Sequence, residues 1–594
     1  PYLIQATIAT EDKNFYKHPG FDPMAIMRAA YFNLKDGHND GASTITQQLI
    51  KNSLLTPEKT LSRKIREIIL AFWAERIYSK DAILEMYLNG APYGGPAWGI
   101  EAAAQTYFGK NASDLNLAEA SFLVGLPASP TNFSPYGKYP ELGKARQAYV
   151  LNRMVEEGYI QKLTANETAS ESLNLKPAIA NIEAPHFVFY VKDLLVQKYG
   201  ERVVSQGGLK ITTTLDLKLQ HQVEDIVKTE VDKLSDLNVK NGAAMVTDAH
   251  TSQILSMVGS RDYYYPNFGN FNATLSLRQP GSSVKVITYA TAFKKGFSPG
   301  NTVLDIPVTF KDDWGNSYSP VNYDGTFHGP VSIRTAPGSS YNIPAVRTLA
   351  TVGIDPTVQT ARDLGITTFS DPKSYGLSLT LGSGAVKMID MMSVYGTLSQ
   401  LGKKGQPTAI LEVTDSEGNV LENYQDSPKQ VLESQIAYLL TSILSDNSAR
   451  TPAFGSQSLL NISPNVAVKT GTSDNKRDNW TFGYSNDFVT GVWVGNPDNS
   501  PMNSALTSGI TGAVPIWNKI MKVVLEKHPA TAFQRPDGIA EVTVDGRKDL
   551  TIVGNIPKSL VGTRKESDKI TFFDKFSSFA TSSVLTSSFF SVCS

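Results

Sequence analysis

Cysteine is almost absent: Cys593, second from the end, is the only one. Intramolecular disulfides and cysteine-held zinc are thereby excluded. Histidine is scarce as well. The seven (His18, His38, His186, His221, His250, His328 and His528) stand singly, and no H-E-x-x-H occurs, which argues against a histidine-built metal site. Neither sign of charge is in excess, since 55 Lys and Arg against 56 Asp and Glu leave a net charge of −1. A nucleic acid as main partner calls for a basic excess, so none is expected. Long apolar runs are missing too. The nearest approach is Phe576 to Ser594, 19 residues without a charge, of which ten are Ser or Thr. That is too polar for a membrane span, and a dispensable, disordered tail is expected. No signal peptide is visible, and residue 1 is Pro, so an upstream segment is expected.

What is present is a long chain with ample core. At roughly 100–200 residues per domain, its 594 residues predict several domains, and 41% apolar content excludes disorder of the whole. Residues 1–155 read as almost all helical, with apolar spacing in Ile65-Ile68-Ile69-Phe72 and Ile83-Leu84-Tyr87-Leu88 and breaks at Gly/Pro clusters. Residues 156–241 read as a connector, polar up to about Ile182, with a strand near Gly207 to Leu215. Residues 242–530 mix strands and helices: a hairpin Ala243 to Val258, a strand Phe488 to Gly495, a helix Ala437 to Leu444. Residues 531–594 are expected to be a partly disordered C-terminal extension.

Three segments of the helical part concentrate polar groups. Glu11 to Gly20 holds Glu11, Asp12, Phe15 and His18. Gly41 to Asn52 holds Ser43, Thr44, Gln47, Gln48, Lys51 and Asn52, with Ile45 and Leu49 on a buried helix face and Gln47 and Lys51 on a polar one. Leu61 to Phe72 carries an apolar stripe, with Arg63, Lys64 and Glu67 on the opposite side. Each piece alone has an ordinary structural role: an i,i+4 ion pair, a helix cap, a turn histidine. The apolar Met24 to Phe32 reads from its residues as a core helix.

Taken in order, E-D-x-x-F-x-x-H-x-G, G-x-S-T-I-T-Q-Q-L-x-K-N, R-K-x-x-E at Arg63 to Glu67, K-x-x-I-L-E-x-Y-L-N at Lys80 to Asn89 and R-x-x-x-V-L-x-x-M at Arg146 to Met154 resemble the peptidoglycan glycosyltransferases. The resemblance implies a lysozyme-like all-α fold that polymerises lipid II. It implies Glu11 as general base and Lys51, Arg63 and Lys64 as cations for the departing diphosphate. It also implies Glu67 as a second glutamate that positions the site or helps to bind a divalent ion (Mg2+ or Mn2+), for which Asp12 is the other candidate. Asp12, Phe15, His18, Ser43, Thr44, Gln47, Gln48 and Asn52 would line the substrate. For Met24 to Phe32 the resemblance implies a second reading, a surface that dips into the membrane. Two carboxylates in one cleft also fit glycoside hydrolysis, and the neighbouring cations favour the diphosphate leaving group.

A second constellation lies beyond residue 242. S-x-x-K at Ser282 to Lys285, S-x-N at Ser340 to Asn342 and K-T-G-T at Lys469 to Thr472 occur in the order of penicillin-binding proteins and β-lactamases. Ser282 and Lys285 lie three apart on a helix and face one way. A lysine buried near another cation loses its proton readily. Lys469 supplies charge for a substrate carboxylate, Thr470 borders the same strand, and Gly471 permits close approach of a peptide. By resemblance, the N–H groups of Ser282 and Thr472 form an oxyanion hole. The chain as a whole resembles the class A penicillin-binding proteins, over about residues 1–530. It departs from them in Val284-Lys285-Val286, where Phe-Lys-Pro is common, and in Ala273, where Arg is frequent.

The resemblance implies a bifunctional cell-wall synthase: an all-α glycosyltransferase domain, then an α/β (α+β) transpeptidase domain with a central antiparallel sheet. Its partners would be lipid II and nascent glycan strands, stem peptides, β-lactams, the membrane surface and other cell-wall synthesis proteins. It would sit on the extracytoplasmic face of a bacterial membrane, held by an N-terminal helix. D,D-carboxypeptidase or β-lactamase activity in the second half, and a non-catalytic scaffold that binds wall precursors, are the alternatives.

Overall fold

The computed structural model describes residues 1–24, 43–54, 61–94, 97–130, 132–136, 140–176, 182–265, 267–311, 317–503, 508–544 and 546–555. Ala25 to Phe32, most of the segment with two readings, and the tail Phe576 to Ser594 lie outside them. The chain forms two compact units, Pro1–Ile182 with Tyr199–Gly208, and Glu183–Lys198 with the chain from Leu209 onward.

Among its described residues the first unit has helices and turns but no strand, only an isolated bridge, Pro92 to Trp98. Its described helices include α1 (Tyr2–Glu11), α2 (Ile45–Leu54), α3 (Leu61–Ile77), α4 (Lys80–Gly90), α5 (Ile100–Tyr107), α6 (Leu117–Gly125), α7 (Pro140–Glu156) and α8 (Lys162–Ser170), with a short further helix at Glu201–Gln206. Helix α6 is the axis. Asn116 and Glu119 form a reciprocal cap at its start, and every residue from Ala118 to Gly125 is buried. Ala6 and Ala9 bring α1 against it, where they join Val124, Val150 and Met154. A larger cluster, with Phe15, Ile83, Tyr87, Tyr93, Ile100 and Phe122, supports the polar segments. Each such buried side chain contributes about 1.5–3 kcal/mol.

The second unit is built on an antiparallel sheet of β1 (Asn241–Asp248), β2 (Ile254–Val258), β3 (Ala467–Thr472), β4 (Asp478–Tyr484) and β5 (Phe488–Gly495), in the order β3-β4-β5-β1-β2. One face is covered by α10 (Leu217–Asp232) and α15 (Ala513–Lys527), after α9 (Pro185–Tyr199) has entered the unit. Leu219, Val223, Val227 and Val231, one helical turn apart, meet Val492, Val494 and Trp517 there. Helices α13 (Met388–Ser399) and α14 (Ser434–Leu444) cover the other face, and α11 (Lys285–Lys294) packs on α14 and on α12 (Asn342–Val352). With both faces dry, β4 is buried at all seven positions, so the strand reads as a run and not as an alternation.

The expected connector, residues 156–241, is divided. Helix α8 packs on α7 in the first unit, whereas α10 is part of the second unit's core. The strand expected near Gly207 is Lys210–Thr213, in a small separate sheet with Ile410–Thr414 and Val420–Asn423. Within the expected extension, β6 (Ile539–Val544) and β7 (Arg547–Ile552) form a hairpin. It is pinned by Arg334, whose Nε donates to both Asp549 oxygens at 3.0 and 2.9 Å.

Candidate active sites

Glu11 ends α1, which is packed from Ala6 to Ala9. Gln48 Nε2, from α2, donates to Glu11 Oε2 at 2.8 Å. No hydrogen bond reaches the other carboxylate oxygen among the described residues. The wall beside it is aromatic: burial, and after it the charge of Glu11, pushes the Tyr87 and Tyr93 hydroxyls upward in pKa. A carboxylate held by one oxygen against an apolar wall is suited to receive a proton.

The adjoining motif residues hold the helices in place. Asp12 accepts from His18 Nε2 at 2.9 Å and from the Ile45 amide at 3.0 Å, so it caps α2. The Gly20 amide donates to His18 Nδ1 at 3.2 Å, which places the ring proton on Nε2. Thr44 and Gln47 form a capping box, Thr44 N to Gln47 Oε1 at 3.0 Å and Gln47 N to Thr44 Oγ1 at 3.1 Å. Gln47 is therefore fully buried, and not on the polar face predicted for it. Phe15 is a core residue, Asn52 is half-buried, and Lys51 is exposed in the last turn of α2.

Helix α3 is turned opposite to the usual sense. Glu67 is 1% exposed, while Ile65, Ile69, Trp73 and Ile77, spaced four apart, are at least half-exposed. The polar side faces in because it satisfies itself. Arg63 Nη1 donates to Glu67 Oε2 at 2.7 Å, and Lys64 Nζ bridges Glu67 Oε1 and Ser43 Oγ, the latter at 2.7 Å. Both glutamate oxygens are occupied by cations, and both Asp12 oxygens by donors. Among the described residues no group of three acidic, His or Cys side chains gathers. These carboxylates do not fit a resident divalent ion.

In the second unit, the turn Gly281–Val284 presents half-buried Ser282 at the head of α11. Lys285 opens that helix and is fully buried. Its Nζ donates to Ser340 O at 2.6 Å, Tyr341 O at 3.1 Å and Asn342 Oδ1 at 2.7 Å. No hydrogen bond joins it to Ser282 among the described residues. Burial, then the Lys469 cation, lowers the Lys285 pKa well below the usual lysine range, and Asp305 acts in the other direction. Lys469 Nζ donates to Ser340 Oγ at 2.8 Å, and burial lowers its pKa to about 7. Ser340 itself is strained, with a φ of +62°, a cost of about 1–3 kcal/mol that surrounding contacts must offset. A cleft of about 460 Å³ opens over these groups, and Tyr323, Phe454, Thr472 and Lys476 are among the residues that line it.

Three glycines make the closeness of these parts sterically allowed. A Cβ on Gly281 (φ +54°) would lie 2.4 Å from Thr472 O, and one on Gly382 would lie 2.3 Å from Gly281 N. A Cβ on Gly471 would lie 2.2 Å from Pro280 O and 3.0 Å from Ser283 N. Gly471, expected to admit a peptide, lines the cleft, and its bare Cα also admits the turn that carries Ser282. Gly471→Ala should therefore destabilise the second unit by about 1–3 kcal/mol and slow Ser282 acylation sharply. Thermal unfolding beside labelling by a fluorescent penicillin measures both, and parent-like values would contradict this account.

Sequence reasoning missed several supports. Tyr395 OH donates to Ser283 O at 2.8 Å, and Trp480 Nε1 donates to Gln279 O at 2.8 Å, fixing the nucleophile turn from two sides. Asp305, Asn322 and His328 lie behind the S-x-N turn. None belongs to a motif; the one signal was an acidic residue closing the apolar run Thr302-Val303-Leu304.

Comparison with known proteins agrees with this arrangement. Residues 1–155 match the family described as Transglycosylase, and residues 242–522 match the Penicillin binding protein transpeptidase domain. Penicillin-binding protein 2D of Bacillus subtilis is 35% identical over 558 residues, which is 92% of this chain and 79% of that protein. Penicillin-binding protein 1A of Aquifex aeolicus is 32% identical over 638 residues, 93% of this chain and 86% of that protein. The crystal structure of penicillin-binding protein 1A from Haemophilus influenzae shares the fold with a TM-score of 0.67 at 21% identity, over 86% of this chain and 94% of that one. The helical unit, the sheet unit and these relatives, in one chain order, make this chain a member of the class A penicillin-binding proteins, the bifunctional peptidoglycan synthases with glycosyltransferase and transpeptidase activity.

Proposed function

We propose that the first unit extends glycan strands from lipid II with Glu11 as general base. The acceptor sugar hydroxyl bonds to the donor's anomeric carbon, its proton passes to the unbonded oxygen of Glu11, and the bond to the lipid diphosphate breaks. Arg63 and Lys64, aimed by Glu67 and Ser43, receive the diphosphate, and Lys51 adds charge from α2. No step is assigned to a divalent cation. Its work on a lipid-linked donor places the enzyme on the extracytoplasmic face of the cell membrane. Among the described residues no helix is long and apolar enough to cross a membrane. The exposed Ile65, Ile69, Trp73 and Ile77 of α3 support a surface that rests on the bilayer.

In the second unit, Ser282 attacks the carbonyl carbon between the two D-alanines of a stem peptide. Lys285 takes the hydroxyl proton, and the N–H groups of Ser282 and Thr472 stabilise the oxyanion. The proton held on Lys285 returns to the leaving nitrogen by way of the Ser340 hydroxyl, which is hydrogen-bonded to Lys469, so that D-alanine departs with Ser340 and Lys285 restored. An acceptor amine on a second stem then displaces Ser282. β-Lactams enter the first half of this sequence and stop there. The single observation that carries the reading is the placement of Lys285 Nζ, fully buried and bonded to the S-x-N turn, which is bonded in turn to Lys469.

Incubation with lipid II, followed by analysis of strand length and cross-links, tests the whole. Long strands joined by peptide cross-links are expected. D-Alanine release without cross-links would show a carboxypeptidase, and no product at all would overturn the reading.

The pH dependence follows from Lys469. The ammonium is the form that pairs with the substrate or penicillin carboxylate. Its pKa of about 7 in the folded protein means pairing is complete at lower pH and declines as pH rises through that value. Pre-acylation affinity for penicillin should fall accordingly, and Lys469→Arg should flatten the dependence. An affinity independent of pH in the parent would contradict the role.

A further inference from the structure

The strained S-x-N turn stands on a support outside every motif. Asp305 closes the strand Thr302–Asp305, which pairs with Gly329–Ser332, and is completely buried. A buried carboxylate is retained only where donors surround it. Here, among the described residues, its donors come from one loop. Asn322 Nδ2 lies 2.8 Å from each Asp305 oxygen. The His328 amide and Nδ1 lie 3.1 and 2.6 Å from Oδ2.

Both donors carry the constraint onward. Asn322 Oδ1 accepts from the Asn342 amide at 2.8 Å and from the Ile343 amide at 3.3 Å, the first turn of α12. The His328 ring stacks on Tyr341, with centroids 4.0 Å apart and planes 15° from parallel. The middle and last residues of the motif are thus gripped from behind, while their oxygens hold Lys285 in front.

We propose that Asp305 is a positioning residue of the transpeptidase site: through Asn322 and His328 it fixes the Ser340-Tyr341-Asn342 turn and thereby the position and charge state of Lys285. The inference rests on the reading of Ser282 and Lys285 as nucleophile and base. Its electrostatic side is specific. Lys285 is faced by the Lys469 cation and, on the opposite side of the balance, by the Asp305 anion. Asp305 is itself faced by His328, with Asp324 on that ring's other nitrogen, and by Tyr289 and Tyr341. An anion near Lys285 favours the ammonium, so loss of the Asp305 charge should make Lys285 give up its proton at lower pH.

The experiment is the rate of Ser282 acylation by a fluorescent penicillin against pH, in the full chain, for Asp305→Asn, Asn322→Ala and His328→Ala, with thermal unfolding beside it. Asn322→Ala should slow acylation by roughly 10²-fold, the scale of a small misplacement of a catalytic group. His328→Ala, at a partly exposed site, should slow it by about tenfold. Asp305→Asn should be slow and should also move the midpoint of the pH profile downward. A lower rate with an unmoved midpoint would mean that Asp305 only stabilises the fold, and would overturn the inference. Parent-like rates in folded Asn322→Ala and His328→Ala would overturn it as well, and these two variants decide the matter if Asp305→Asn does not fold. A silent Lys285→Met beside parent-like Asp305→Asn would defeat this inference alone. Acylation of Lys285→Met at the parent rate would defeat the reading of Lys285 as base, and this inference with it.

Discussion

Lys285→Met should lose acylation by penicillin, with a fall of roughly 10²–10⁴-fold, the usual weight of a general base. Methionine matches the lysine stem in volume but offers no lone pair with basicity. Two effects compete in stability. A buried amine no longer has to be desolvated, yet Ser340 O, Tyr341 O and Asn342 Oδ1 each lose their donor. An unpaired buried acceptor costs about 1–3 kcal/mol, so the variant should be modestly less stable than the parent. That raises a second explanation for lost activity, release of the strained turn. Lys285→Arg separates the two. Arginine can still donate to the turn but does not deprotonate in the working range. Equal inactivity of the Met and Arg variants, with both folded, identifies the proton acceptor as the missing element. Rapid labelling of either would sink the assignment.

Glu11→Gln should lower glycan formation from lipid II by roughly 10²–10⁴-fold. The substitution keeps the side-chain shape and an acceptor oxygen for Gln48 Nε2. It removes only the charge and the basicity, so the first unit should unfold at nearly the parent temperature. Each unit has its own core and its own complete set of groups. Penicillin labelling of Ser282 should therefore persist in Glu11→Gln. Ser282→Ala should show the reverse, with strands formed and left uncross-linked. The reciprocity is not complete, because cross-linking consumes the polymer: Glu11→Gln should also fail to cross-link when supplied with lipid II alone. Normal strand lengths from Glu11→Gln, or no strands from a folded Ser282→Ala, would contradict this division of labour.

Much of the chemistry was written locally. Ser282 and Lys285 share a face because three residues make almost one helical turn, and Lys469 sits within a short strand, β3. Helical periodicity exposed the first unit for the same reason, and the chain order of the motifs implied the two activities. Periodicity says which residues share a face, but not which way the face turns. Only the tertiary structure decided that the polar side of α3 faces inward, where Arg63 and Lys64 close on Glu67 of the same helix and Lys64 also reaches Ser43 of a separate segment. The same limit hid the double duty of the motif residues. Asp12, His18, Thr44 and Gln47 look like substrate ligands in a string of letters, and in the fold they cap α2 and close on each other. It also hid Asp305, Asn322 and His328, which no spacing connects to Ser340. A hydrogen bond between side chains 17 or 23 residues apart exists only once strands and loops have brought them together. A short motif encodes a reacting group and its nearest turn; the orientation, charge state and strain of that group belong to the packed fold around it.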